Sequence, residues 1–466
     1  MRTKIILTLS FLIPFALLFT YIWATATNYT YSDEIYAVRG GVVENYLNGT
    51  LSFADLWRPA LSIRVLGYRL LLLADIKWFS MNSRIFVLII PFLLLSSAFL
   101  IYTDYRKSLS PGCSPEFIAT TLFFLTLIIF NIIQWQALIF RGALFFQLPM
   151  PFIIASFISL ELYLSQGRKY WIPAFILTAL AVLIFGGTII FSFAPALSLT
   201  FLCYILTRRL SLKIDFWLRA STISFFLVTL AFIYIFKIYQ NDYIQPFPYS
   251  FVTDIFSRPL EAMQFYLSAF GASIIGIDVF FTYDYFSLRD IILTGVVVLL
   301  FYVFALTLFF KSRMYEKTYL PFFLITQVFF FLAFMTIARF GLNDISYSMS
   351  SRYTCVSLFG LASIVWILIF FLSQPAKPNV LMKSIINSLF VIIFSGLLLT
   401  SIVVWRVQPE RKAKFEQLYD IAMRVDTATY DELLNFAAPP ELVRDSLRLL
   451  RKHKLNMYHS APEDRK

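Results

Sequence analysis

Charge is the first thing this sequence is short of. Only 14% of its 466 residues are Asp, Glu, Lys or Arg, whereas a soluble domain carries roughly a quarter. With 59% hydrophobic residues and 53 Phe, the deficit excludes a large water-soluble core and indicates a chain built for lipid. Histidine is nearly missing. His453 and His459 both lie close to the C-terminal end, so a His-based metal centre or a Ser–His–Asp triad within the apolar part is excluded. The three cysteines, Cys113, Cys203 and Cys355, have no CxxC spacing, which excludes a disulfide framework or thiolate metal site. No Gly-rich phosphate loop and no internal repeat occurs. Carboxylates, arginines and hydroxyls are what remain to do chemistry.

The net charge of +12 could signal nucleic acid. However, many Lys and Arg sit in short clusters between apolar runs, and no basic stripe with interleaved aromatics is found. This is the pattern of loop charges that set membrane orientation, so no nucleic-acid partner is expected. The N-terminal MRTK followed by IILTLSFLIPFALLFTYIWA resembles a signal peptide. It lacks a convincing small-residue cleavage site and is followed by many further spans, so it reads as a retained first helix with a cytoplasmic start.

Further spans are expected at about 84–102, 117–136, 149–166, 170–186, 188–207, 216–236, 291–310, 319–337, 354–373 and 383–405. The run 263–281 could be another, but counting it as a crossing would flip the basic cluster KSRMYEK, 311–317, to the outside. With its Gly271, Gly276 and Asp278, it reads as re-entrant or interfacial. The expected fold is therefore an all-α polytopic membrane protein of about eleven transmembrane helices, N-terminus in and C-terminus out. Residues 1–405 form the bundle and 406–466 a small helical tail outside. Large outer loops are expected at 25–83, 237–290 and 338–353. Arg64 and Arg69 would snorkel from an interfacial helix over 61–79.

The outer face gathers the chemistry-bearing residues. Asp33 and Glu34 stand adjacent just past the first span; carboxylates there can act as a general base or hold a divalent cation, or simply stop a helix at the headgroup level. Arg339 and Arg352 flank one late outer loop. A guanidinium forks onto phosphate through two N–H bonds, although an arginine at this depth can also snorkel to ordinary headgroups. Ser351 and Tyr353 add donors beside Arg352. Arg58, Arg64 and Arg141 are further phosphate-binding candidates, and Asp278 and Asp284 could help hold an acceptor or a cation. Glu161 and Arg219 fall near cytoplasmic helix ends and read as interfacial.

The stretch DEIYAVRGGVVENYLNGT, 33–50, resembles the first outer loop of GT-C glycosyltransferases, membrane enzymes that use polyprenyl-phosphate sugars. The pattern Ala338-Arg339-Phe340-Gly341 followed by Ser350-Ser351-Arg352-Tyr353 is similar to the GRxGFG…SSRY loop of a group of bacterial polytopic proteins, some regarded as GT-C-like. Here Ala338 replaces the pattern's Gly, and LND stands where it has FGP. The resemblance implies a GT-C-like bundle in a bacterial inner membrane, serving polysaccharide biosynthesis in the cell envelope. It implies that Asp33 is the catalytic carboxylate, with Glu34 beside it in the site. A sugar would pass from a polyprenyl-phosphate donor to a glycan, lipid or protein hydroxyl at the outer face. No cofactor is expected, save a divalent cation that Asp33 and Glu34 could hold. The alternatives are a flippase or transporter, or a polymerase or ligase of lipid-linked polysaccharide. A transporter would carry polar or Gly/Pro-broken helices at the membrane midplane, and these span centres are almost free of charge.

Overall fold

The structure is a computed structural model that describes residues 2–58, 66–109, 112–166, 170–208, 250–283, 286–374 and 378–459. The expected span 216–236, and with it Arg64, Arg219 and Asp284, lies outside the described residues. All regular structure among the described residues is helical, because a chain in lipid must satisfy its backbone polar groups within each segment or in a closed barrel.

The main helices in chain order are α1 (Arg2–Thr25), α2 (Leu66–Phe79), α3 (Ile90–Ser108), α4 (Pro115–Ile129), α5 (Pro149–Gln166), α6 (Trp171–Phe185) and α7 (Ile190–Arg208). They continue as α8 (Pro259–Gly271), α9 (Ile277–Thr282), α10 (Leu288–Lys311), α11 (Leu320–Arg339), α12 (Ser351–Leu372), α13 (Val380–Met423), α14 (Tyr430–Leu434) and α15 (Pro440–Lys452). Among the described residues, nine helical segments are long and apolar enough to cross a membrane: α1, α3, α4, α5, α7, α10, α11, α12 and α13, several with short extensions. Helix α6, the tenth expected span within the described residues, has 15 residues and so reaches only about 22 Å at 1.5 Å per residue.

Helix α12 is the axis of the bundle. Every residue from Tyr353 to Phe370 is buried, as expected of a helix that is apolar all round. Helix α1 instead turns Leu9, Leu12, Ile13 and Leu17 outward. Small and hydroxylated residues set the close approaches. Ser10 Oγ donates to the Ala119 carbonyl at 2.8 Å and Thr126 Oγ1 to the Ser10 carbonyl at 2.7 Å, tying α1 to α4. At Gly295 of α10 an added Cβ would overlap the Leu267 carbonyl of α8, so only glycine permits that crossing.

The stretch 263–281 is two short helices, α8 and α9, joined by a turn. At 13 residues α8 is about 20 Å long, short of the roughly 30 Å hydrocarbon core. Thr400 of α13 pins the turn: its hydroxyl donates to the Ile274 carbonyl at 2.9 Å and accepts from Gly276 N–H at 3.2 Å.

The face where α1 ends and α12 begins is here called the loop face. On it, the first loop and the C-terminal segment fold together. Helix α13 runs on for 44 residues, so residue 405 falls within it, and the chain after it does not hang free. Tyr29, Ile35, Val38, Leu72 and Ile76 share one hydrophobic core with Leu418, Phe436, Val443, Leu447 and Met457. Asn456 latches the two parts, its amide donating to the Met81 carbonyl at 2.7 Å and to Asn28 Oδ1 and Ser83 Oγ at 3.1 Å each.

Two expectations change. Helix α2 does not offer Arg69 to headgroups; the side chain is buried and donates to the carbonyls of Asp55, Leu56 and Arg58 at the end of the short helix Phe53–Trp57. Those carbonyls lack intrahelical partners, which is why a guanidinium is drawn there. On the opposite face, Glu161 is buried, not interfacial. It accepts from Tyr319 N–H at 2.6 Å and Thr318 Oγ1 at 3.1 Å, an anion at the positive end of α11.

Candidate functional site

Adjacent Asp33 and Glu34 have opposite surroundings. They form a single 3₁₀ turn, Ser32–Glu34, entered through Ser32 at φ +52°, a left-handed conformation that costs a non-glycine residue about 1 kcal/mol or more. The turn is held by Ser32 N–H donating to the Phe436 carbonyl at 2.9 Å.

Glu34 points inward and its side chain is 2% exposed. Its Oε2 lies 2.7 Å from Arg141 Nη2, and its Oε1 accepts from Gly142 N–H at 2.9 Å. Arg141, itself fully buried, reaches Asp75 Oδ2 through Nη1 at 3.1 Å. Two carboxylates thus share one guanidinium. Burial pushes both acids above the usual carboxylate range, against the pull of Arg141, while the two acids hold Arg141 firmly charged against its own burial. Burial and the Glu34 charge also push the Tyr68 hydroxyl up. This arrangement corrects two expected roles. Arg141 is buried on Glu34, Asp75 and the Met81 carbonyl instead of being presented to a phosphate at the surface, and Glu34 is its ion-pair partner. Glu34 and Asp33 face different arginines, the one buried on Arg141 and the other half-exposed by Arg352, which is not the arrangement of two ligands on one cation. Among the described residues, no group of three or more His, Cys, Asp or Glu side chains comes together.

Asp33 points the other way. Its side chain is 36% exposed and its Oδ2 lies 3.6 Å from Arg352 Nη1, whose side chain is 26% exposed. Arg352 is oriented by its neighbours: Nε donates to Ser350 Oγ at 3.1 Å, and Ser350 Oγ donates to Gln136 Oε1 at 2.8 Å. Gln136 N–H in turn donates to Ser351 Oγ at 3.2 Å, so Ser351 ties the start of α12 to the segment after α4. Two tyrosines border the pair. Burial, and secondarily the Asp33 charge, push the Tyr31 and Tyr36 hydroxyls up, with Arg352 opposing this at Tyr31. Tyr31 packs edge-on against Phe140 at 6.0 Å.

The other expected residues scatter. Tyr353 is buried between Phe146 and Phe331, edge-on to both, so it packs the bundle below Arg352. Arg58 is exposed and gives its carbonyl to Arg69. Arg339 ends α11, half-buried, with its Nε enclosed and without a hydrogen-bond partner. Its neighbour Phe340 packs against Phe265 and lies under the Arg258 guanidinium. Asp278 pairs with Arg411, which also stacks 3.7 Å over the Trp135 ring; burial raises the Asp278 carboxyl despite that partner.

Sequence reasoning missed Asp75 and Gln136. Asp75 had a signal: an acid in the run LLLLADIKWF is costly to bury unless a cation meets it. Gln136 had none, because an amide near a helix end is ordinary. No known protein family, curated protein or solved structure matches the chain.

Proposed function

We propose that the protein is a membrane glycosyltransferase, moving a sugar from a polyprenyl-phosphate donor to a hydroxyl acceptor at the loop face. The observation that carries this reading is the half-exposed Asp33–Arg352 pair. It joins a carboxylate and a phosphate-binding cation, brought from distant parts of the chain to one surface. At 3.6 Å the two are close enough to attract and too loose to be locked. A donor phosphate competes for Arg352 with two charge-assisted bonds. Once Arg352 turns to it, the Asp33 carboxylate is released from the pair and free to meet the acceptor hydroxyl. It then takes the proton of the acceptor hydroxyl as that oxygen attacks the anomeric carbon, and the lipid phosphate leaves toward Arg352.

The loop face is assigned to the outside of a bacterial cytoplasmic membrane. Arg106 and Lys107 at the end of α3, Lys311 at the end of α10 and Lys383 at the start of α13 all sit at the opposite face, which suits the cytoplasm.

The test is transfer by purified, lipid-reconstituted protein given a panel of polyprenyl-phosphate sugars. Asp33→Asn should cut turnover about 10²–10⁴-fold, the usual contribution of general-base catalysis, with donor still bound. Arg352→Gln should weaken donor binding. Full turnover by Asp33→Asn would sink the reading. Donor binding that depends on Arg352, with no cleavage of any donor by the wild type, would point to translocation.

A further inference from the structure

A second place on the loop face brings together two exposed cations. Trp23 and Ala24 near the end of α1, Thr27 and Asn28 just beyond it, Arg84 and Lys412 line a cavity of about 410 Å³. Arg84 and Lys412 are both exposed, and among the described residues neither has a carboxylate within ion-pair distance. The Arg84 guanidinium stacks 4.4 Å over the Trp23 ring, with a long bond at 3.4 Å from Nη2 to the Trp23 carbonyl. Stacking occupies the flat face of a guanidinium and leaves its in-plane N–H groups free for an anion. Asn28 Oδ1 is already accepting from Ser83 N–H and the Asn456 amide, which aims its oxygen inward and keeps its own NH₂ for a further acceptor.

Below the cavity, a ladder of rings runs along the bundle's outer flank. Trp23 stacks on Phe19 at 6.4 Å, Phe19 on Phe15 at 6.0 Å, and Phe15 meets Phe92 of α3 at 5.6 Å. Trp23 and Phe92 are 53% and 54% exposed, so this flank faces the hydrocarbon. Two cations and an amide at the depth where Trp sits in membranes, above an apolar track, match a lipid with a phosphate in its headgroup.

We infer that this cavity binds a lipid of net negative charge, its phosphate on Arg84 and Lys412 and one chain along Trp23, Phe19, Phe15 and Phe92. The site uses none of the residues of the Asp33–Arg352 pair and does not depend on glycosyl transfer. Two lipids share this chemistry: an anionic bilayer phospholipid and a polyprenyl phosphate.

The test is native mass spectrometry of the full chain, delipidated in neutral detergent and titrated separately with phosphatidylglycerol, polyprenyl monophosphate, phosphatidylcholine and inorganic phosphate. One phosphatidylglycerol or polyprenyl phosphate per chain is expected, and the tighter of the two names the source. Each Lys or Arg near an anionic surface strengthens binding about fivefold, so Arg84→Gln with Lys412→Gln should weaken it about 25-fold. Both residues are surface-exposed, so the variant should fold; Lys412→Glu alone is the second variant and should weaken binding more than Lys412→Gln. Equal retention of phosphatidylcholine, inorganic phosphate binding as tightly as lipid, or undiminished lipid in the double variant would each overturn the inference.

Discussion

Replacing Arg141 by methionine should be among the most damaging single changes outside the bundle's core. It would leave Glu34 and Asp75, both buried, without the guanidinium that now lies 2.7 and 3.1 Å from them. Removing one partner of a buried ion pair costs about 3–5 kcal/mol. An independent route gives the same scale. A stranded carboxylate can escape by taking up a proton, and for a carboxyl of ordinary value 4.5 that costs about 3.4 kcal/mol at pH 7, at 1.36 kcal/mol per pH unit. Glu34 keeps its bond from Gly142 N–H, which lowers the damage somewhat.

The same reasoning makes the defect depend on pH. Between pH 8 and pH 5 the cost of protonation falls by about 1.4 kcal/mol per unit for each proton taken up. Arg141→Met should therefore be strongly destabilised at pH 8 and much closer to wild type at pH 5. Thermal unfolding in detergent, followed by monodispersity on size exclusion, reads this directly. Asp75→Asn is the companion variant. Its amide oxygen can still accept from Arg141, and it removes the surplus buried charge, so it should cost less than about 1 kcal/mol, a hydrogen bond's worth. An Arg141→Met melting temperature equal to wild type at pH 8, or a defect of the same size at both pH values, would refute the buried-triad account.

In the wild type, Glu34 and Asp75 hold protons more tightly folded than unfolded. Their contribution is therefore full below the ordinary values of 3.8 and 4.5 and is lost as pH rises through the raised folded values. A melting curve against pH should decline across that window, and Asp75→Asn should flatten it. Gly295→Val should disrupt the α8–α10 crossing, because its Cβ would overlap the Leu267 carbonyl; a loss of at least about 1–3 kcal/mol is expected, read as lower thermal stability. Asn456→Ala removes three hydrogen bonds between the C-terminal segment and the first loop and leaves the Met81 carbonyl only its long bond from Arg141, costing about 1–3 kcal/mol. Limited proteolysis after residue 423 should speed up, and unchanged cleavage would show that the shared hydrophobic core alone holds the module.

The bundle was legible because lipid leaves few choices. Apolar runs of about 20 residues mark crossings by length alone, and the nine long apolar helices fall on nine of the expected spans. The run 263–281 breaks into two short helices around Gly271 and Gly276, a break that its glycines made legible. What could not be read was pairing across distance. Glu34, Asp75 and Arg141 come from three separate stretches, and nothing local announces that they meet. The C-terminal segment shows helical periodicity, yet its apolar face gives no hint that the partner is the first loop rather than lipid. Side-chain direction was also hidden: a dipeptide cannot say that its two carboxylates diverge.

That divergence is what gives Asp33 a fixed place. A carboxylate on a free loop samples many positions, and chemistry needs one held to within about 0.5 Å. Here the left-handed Ser32, its bond to Phe436 and the buried Glu34–Arg141 pair fix the backbone on both sides of Asp33. Gln136 and Ser350 fix Arg352 from the bundle side. The two halves of the candidate site are therefore held by different bodies of the protein: Asp33 by the first loop packed on the C-terminal segment, Arg352 by the first turn of α12. Any shift of the module on the bundle must change the 3.6 Å separation of Asp33 from Arg352. Glu34→Gln should consequently act through position. It leaves both site groups chemically intact, yet it weakens the anchor beside Asp33, so its effect on turnover should track its loss of stability, whereas Asp33→Asn should cut turnover about 10²–10⁴-fold with stability unchanged. A Glu34→Gln protein as stable as wild type but inactive would return Glu34 to a direct chemical role.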